Sequence, residues 1–181
     1  MMLGDDEAAL IARAKTGDQY AFERLLGPAV RPASRLAFAM LRDTALAEDA
    51  FQESALRAWR RIGNLRSGAR FQPWFLGIVA NQCREVRRGR WWQVIRLPEI
   101  ATTAALDATA AWLEGEDLRQ ALQTLPFDQR AAILMHFHLD MPLSDVALAL
   151  DLSVAGVKTR INRALKRLRP TMTAAEAKAD G

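Results

Sequence analysis

The chain has 181 residues, half of them hydrophobic, enough for one or two domains with real cores. Net charge is +4 and pI about 9.8; no run of roughly 18 apolar residues exists to span a bilayer, and the acidic start MMLGDDEAAL shows no secretory signal. With 10 Gly, 7 Pro and 1 Cys, the composition predicts an all-α protein in a reducing compartment, the cytoplasm, with no internal disulfide.

Residues 5–15 (DDEAALIARAK) read as a first helix, with acids at its start and Lys15 at its end, complementing the helix dipole. Gly17 breaks it, and Asp18 is placed to cap a second helix with Tyr20, Phe22, Leu25 and Leu26 apolar. Pro28 and Pro32 predict a break or kink near 27–32, with helix resuming over 33–41. A helix over 45–62 follows, capped by Asp43 or Thr44 and ended by Gly63, with Phe51, Ala55, Ala58 and Ile62 as its apolar stripe. A polar loop, 63–70 (GNLRSGAR), leads to a helix expected from Pro73 to Gly89, with Leu76, Val79, Cys83 and Val86 inward. Cys83 is read as a core residue.

Charge sets residues 54–90 apart. They hold nine basic residues, all Arg, and one acid, Glu85. Trp59, Phe71, Trp74, Phe75, Trp91 and Trp92 are interleaved with or follow them. Guanidinium groups beside stackable rings suit single-stranded nucleic acid; a solvated face on a packed hairpin accounts for the same charge. Off the apolar stripes, Asp49, Gln52 and Glu53 share one patch at i, i+3, i+4, while Asn81, Arg84 and Arg88 share a face with Arg87 nearby. Trp74 is assigned to the core; Trp91 and Trp92 either close the domain or contact DNA or a partner.

Residues 91–113 read as a linker, interrupted by Pro98. Beyond it, 117–125 is a short helix with Leu118, Leu122 and Leu125 inward. Pro126 opens another with Ile133, Leu134 and Phe137 apolar, and 140–142 is a turn. Ser144 is placed to cap a helix of about six residues, DVALAL. After a turn at Asp151 and Leu152, Ser153 caps a final helix with Val154, Val157, Ile161, Leu165 and Leu168 on one face. Its other faces carry Lys158, Arg160, Arg163, Lys166, Arg167 and Arg169, with no acid from 154 to 169. A short helix, a tight turn and a Ser-capped basic helix make a helix-turn-helix. Val154, Ala155 and Gly156 are small enough for close approach to a major groove, and Lys158, Thr159, Arg160 and Arg163 can reach bases and phosphates. The tail after Pro170 reads as disordered.

The segments Ala47-Glu48-Asp49, Gln52-Glu53, Leu56-Arg57-Ala58-Trp59, Phe71, Trp74-Phe75-Leu76, Ile78-Val79-Ala80-Asn81 and Arg87-Arg88 resemble the second conserved region of bacterial sigma factors, in the small extracytoplasmic-function (ECF) group. LSDVALALDLSVAGVKTRINRALKRLR resembles the fourth region of the same family. The resemblance implies two helical domains: 1–90 for core polymerase and the minus-ten element, and 114–170 for the minus-thirty-five element. It implies that Asp49, Gln52, Glu53 and Arg57 dock on the β′ clamp helices of core RNA polymerase. By the same resemblance, Leu65, Arg66, Asn81, Arg84, Arg87 and Arg88 hold melted minus-ten DNA, the 63–70 loop capturing a flipped base. The family usually has an aromatic near Leu65 and an acid near Ala69, so base preference is expected to differ here. The second domain would bind promoter duplex and the polymerase β flap. The acidic linker would thread through the polymerase near the RNA path. An anti-sigma factor is an implied partner.

No catalytic set, Gly-rich phosphate loop or metal site is legible, and His136 and His138, two apart, make a poor metal pair. No cofactor, small-molecule substrate or membrane insertion is expected. A helix-turn-helix regulator that never joins polymerase, and a mimic that only sequesters an anti-sigma factor, are the alternatives.

Overall fold

Helices α1 (Leu3–Lys15), α2 (Gln19–Leu41), α3 (Thr44–Arg61), α4 (Phe71–Gln93), α5 (Glu116–Thr124), α6 (Phe127–Ile133), α7 (Leu143–Leu150) and α8 (Val154–Ala179) make up the computed structural model, with no strand among the described residues. The backbone is described for residues 3–93 and 116–179, and side chains for 7–89 and 118–170. Most of the expected linker therefore lies outside the described residues, as do the side chains of Trp91 and Trp92. The chain divides into two compact units, residues 1–101 and 102–181.

In the first unit, α2 packs against α1, α3 and α4. Asp18 caps it as expected, accepting from the Ala21 N–H at 3.0 Å. That bond and then the Arg13 guanidinium hold the Asp18 carboxyl below its usual range. The break expected near 27–32 is absent: α2 runs unbroken through Pro28 and Pro32. Each proline removes one backbone bond, at about 3 kcal/mol in a helix interior. The two are four apart on the helix, Pro28 exposed and Pro32 half-buried, so both lie toward its outer face. Burial of Leu36 and Met40 offsets the cost at about 1.5–3 kcal/mol each.

Asp43 caps α3, accepting from the Leu46 N–H at 3.0 Å. The buried stripe of α3 is Ala47, Ala50, Ser54 and Ala58, with Phe51 and Ala55 half-buried beside it, a correction to the expected pattern. Ser54 fits there because its hydroxyl donates to the Ala50 carbonyl at 2.6 Å, leaving no unmet polar group. A 3-10 turn, Ile62–Asn64, follows. Helix α4 begins at Phe71 rather than Pro73 and runs past Gly89 to Gln93. Leu76, Val79 and Cys83 are buried on it, and Val86 is half-buried. Burial pushes the Cys83 thiol up to about 12.

Aromatic rings fill the centre of this unit. Phe22 meets Trp59 and Phe71 edge-on, with centroids 5.1 and 5.7 Å apart, and Phe71 stacks on Phe75 at 5.8 Å. Trp74 tilts against Phe71 at 5.7 Å. Phe71 and Phe75 are fully buried, so they are core rather than stacking platforms for bases.

In the second unit, α8 packs against α5, α6 and α7. The core is Leu122, Leu125, Ile133, Leu134, Met135, Met141, Val146, Val157, Ile161, Ala164 and Leu168. After α6 the helix widens into a π-turn, Leu134–His138, where the Leu139 N–H reaches back to the Leu134 carbonyl at 3.0 Å. That turn leaves Phe137 exposed, against expectation. Arg130 is 1 % exposed; its Nη2 donates to the carbonyls of Gln123 at 2.8 Å and Leu125 at 3.0 Å. These carbonyls lie at the end of α5, which has no further turn to satisfy them. Ser144 is not a cap: α7 starts one residue earlier, behind Pro142, with no side-chain cap bond. The segment after Pro170 is helical to Ala179 rather than disordered. Its Ala, Glu and Lys content favours helix.

Candidate nucleic-acid interface

Helix α4 presents Asn81, Arg87 and Arg88 exposed and Arg84 half-buried, opposite the stripe that carries Val79 and Cys83 into the core. The face follows from helical spacing once that stripe is buried. Arg66 is exposed in the loop before α4. Leu65 is not: it is 2 % exposed, which corrects the expectation that it faces DNA. An apolar side chain at the foot of a polar loop gains more from the core than from solvent.

The loop's form is set by its glycine and its feet. The Ala69 N–H donates to the Arg66 carbonyl at 3.1 Å, and Gly68 sits at φ +77, where a Cβ would strain the backbone. Lys15 Nζ donates to the Leu65 carbonyl at 2.5 Å, and the Phe71 N–H donates to Glu7 Oε1 at 2.8 Å.

On α3, Asp49 and Gln52 are exposed and Glu53 half-buried, forming the expected patch. Arg57 is engaged within the chain. Its Nε donates to Glu53 Oε1 at 2.9 Å and its Nη1 to Glu85 Oε2 on α4 at 2.8 Å. Glu53, then Glu85, hold the guanidinium above its ordinary range. The geometry therefore joins Arg57 to α4 as well as to the α3 patch.

In the second unit, α7 and α8 meet through a turn at Asp151, whose φ of 53 is left-handed. The Leu152 N–H donates to the Ala147 carbonyl at 2.9 Å and the Asp151 N–H to the Leu148 carbonyl at 3.4 Å, a Schellman-type end usually built on glycine. Ser153 Oγ then accepts from the Gly156 N–H at 3.1 Å, capping α8 as expected. The buried face of α8 is Val157, Ile161, Ala164 and Leu168; Val154 and Leu165 are exposed, against expectation. Ala155, Lys158, Thr159 and Arg163 are exposed on the remaining faces, with Gly156 and Arg160 half-buried. Thr159 Oγ1 donates to the Ala155 carbonyl at 2.9 Å, and Arg160 lies along the helix toward the Gly156 carbonyl at 3.5 Å. A Cβ on Gly156 would meet Ser153 Oγ at 3.3 Å, so its small size serves the cap.

His136 Nδ1 lies 2.8 Å from the Met141 carbonyl, and among the described residues no group of three metal-binding side chains occurs.

Two family models match the chain: "Sigma-70 region 2" over residues 25–93 and "Sigma-70, region 4" over 115–168. The "ECF RNA polymerase sigma factor SigM" of Mycobacterium tuberculosis (strain H37Rv) is 33% identical over 163 residues, covering 90% of this chain and 82% of that protein. The chain is a sigma factor of the sigma-70 family, in the ECF group. A second relative, "Probable RNA polymerase sigma factor RfaY" of Xanthomonas campestris pv. campestris, is 31% identical over 88% of this chain, which spans 42% of that longer protein. A solved structure of CnrH in complex with the cytosolic domain of CnrY matches 94% of this chain and 99% of its own, at 25% identity and a TM-score of 0.71.

The region 2 match takes in the α3 patch and the α4 face of this sigma factor, and the region 4 match the helix-turn-helix. Helix α1 precedes both. Glu7 and Lys15, which hold the loop of the sigma factor, were not candidates in the sequence, because nothing local links them to residues 64 and 50 positions downstream.

Proposed function

We propose that this chain is an alternative sigma factor that works in the cytoplasm, binding core RNA polymerase and directing it to promoters. Residues 1–90 would bind polymerase and the minus-ten element, and 114–170 the minus-thirty-five element. The carrying observation is that each unit holds a basic, solvent-facing helix surface inside its matched region: Asn81, Arg87 and Arg88 on α4, and Lys158, Arg163 and their neighbours on α8. Asp49, Gln52 and Glu53 form the docking patch for the β′ clamp, with Arg57 bracing it from within. On α4, Arg84, Arg87 and Arg88 neutralise phosphates and Asn81 reads a base edge, while Arg66 in the loop flanks a captured base. Helix α8 enters the major groove from its Ser153-capped end, with Val154, Ala155, Gly156 and Thr159 toward the bases and Lys158, Arg160 and Arg163 on bases or phosphates. The β flap would engage the same unit.

No covalent step is involved. Melting is driven by binding: the captured base must gain a few kcal/mol to offset lost stacking. A protein partner that masks these surfaces, an anti-sigma factor, is part of the proposal; the similar CnrH was solved with the cytosolic domain of CnrY bound.

The test is transcription in vitro from fragmented genomic DNA, with core RNA polymerase of the source organism and this protein. Discrete starts sharing two upstream elements are expected, and Asn81→Ala should reduce open-complex formation about 5- to 100-fold with little change in closed binding. Absence of binding to core polymerase would overturn the proposal in favour of a regulator or a mimic.

A further inference from the structure

The 66–70 loop is an arch of five residues between two buried feet. Leu65 and Phe71 are 2 % and 1 % exposed, and between them only Ala69 is even half-buried. Both feet are held by one helix. Lys15, the last residue of α1, donates to the carbonyl of the first foot at 2.5 Å. Glu7, two turns earlier, accepts from the backbone N–H of the second at 2.8 Å.

These bonds answer backbone needs that the arch cannot meet itself. Phe71 is the first residue of α4, so its N–H has no partner within the helix; Glu7 supplies a cap from another element, with its negative charge at the positive end of the helix. The Leu65 carbonyl follows the 3-10 turn and meets a cation in a half-buried setting. Charge-assisted bonds of this kind are stronger than neutral ones and fix direction as well as distance. The span between the feet, and hence the width of the arch, is set by where Glu7 and Lys15 sit along a rigid helix.

We infer that α1 is the template for the base-capturing loop, with Glu7 and Lys15 as positioning residues that set which base the arch accepts. This rests on the proposed role of the loop in base capture. Neither residue touches DNA in this scheme. They act through the Phe71 N–H and the Leu65 carbonyl, and they lie outside residues 25–93 of the region 2 match. The arch carries exposed Arg66, Ser67 and Arg70, and where these side chains stand depends on the course of the backbone between the two feet. Backbone shape, fixed at both feet by α1, then sets the width of the arch and the placement of those side chains.

The experiment uses the full-length chain with core RNA polymerase and single-stranded minus-ten oligonucleotides. Each position in turn carries A, C, G or T, and affinities are read by fluorescence anisotropy. Wild type is expected to prefer one base at one position. Glu7→Ala and Lys15→Met should each flatten that preference by about fivefold or more, with affinity for core polymerase within twofold of wild type. Glu7→Gln, which keeps the acceptor oxygen, and Lys15→Arg, which keeps a donor, should restore it. A merely destabilised domain would lower all four affinities together and leave their ratio unchanged; that result, with wild-type helix content by circular dichroism, overturns the inference. Should Glu7→Ala unfold, Lys15→Met and its Arg rescue decide alone, since they perturb only the other foot. A wild type with no base preference at any position removes base capture itself, and the template role with it.

Discussion

The two units share one feature, an exposed basic helix face, and build it from different materials. The first uses helices of 13 to 23 residues around interlocked rings of Phe22, Trp59, Phe71 and Phe75. The second uses α5, α6 and α7, of 9, 7 and 8 residues, against the long α8. Short helices end often, and every end strands carbonyls. The second unit meets that cost with a buried arginine and two left-handed aspartates, Asp140 and Asp151; the first sets longer helices around its rings and closes α2 with one left-handed residue, Arg42, whose N–H donates to the Phe38 carbonyl at 2.7 Å. The stability of the first should follow apolar volume, and that of the second should follow polar satisfaction.

Volume loss in the first unit should give the largest effect. Phe71→Ala is expected to cost about 3–5 kcal/mol, read as faster hydrogen exchange across α1 to α4 with α5 to α8 unchanged. Equal acceleration in both units would mean that they unfold as one and do not differ in what stabilises them. Arg130→Met keeps much of the volume but strands the carbonyls of Gln123 and Leu125; a loss of about 1.5–3 kcal/mol confined to α5–α8 is expected in urea unfolding followed by exchange. A neutral result would place that unit's stability in apolar packing after all.

Cys83 sharpens the contrast because it reports on the first unit alone. Its folded pKa is raised above the ordinary 9.0 to about 12, so the thiol's contribution is fully present below pH 9 and is lost as pH rises toward 12. The loss is at most about 1.4 kcal/mol per pH unit relative to Cys83→Ala. Alkylation at pH 8 should proceed only at the opening rate of α1–α4, and immediate labelling of native protein would contradict the burial. The smallest effect is the cap: Ser153→Ala should cost the second unit about 1 kcal/mol, seen as a lower urea midpoint with an unchanged slope.

Local chemistry was legible in the sequence, and distant chemistry was not. Asp18, Asp43 and Ser153 are caps because each bond closes within three residues. The helix-turn-helix was readable for the same reason, although Asp151 in place of glycine hid the form of its turn. Ser144 misled because α7 already begins at Leu143, behind Pro142. The stripe of α3 was misplaced because Ser54 counts as polar until its hydroxyl is bonded to Ala50. Arg130 went unread as an internal strut, since arginine is rarely so buried. Of the candidate interface, period grouped Asp49, Gln52 and Glu53 and the α4 face, and placed the α8 face except at Val154 and Leu165; the roles expected of these residues came from the resemblance, and the loop's supports in α1 required the fold.

The doubly held Arg57 changes the electrostatic footprint of the first unit. Counterions released on binding a strand track the cations placed against phosphates, at about 0.7 per contact for single strands. A guanidinium already paired with two carboxylates, Glu53 and Glu85, adds little to the cations available to phosphate. The ionic-strength dependence of minus-ten binding should therefore be shallower than a count of arginines implies, and removing Arg57 should leave its slope almost untouched.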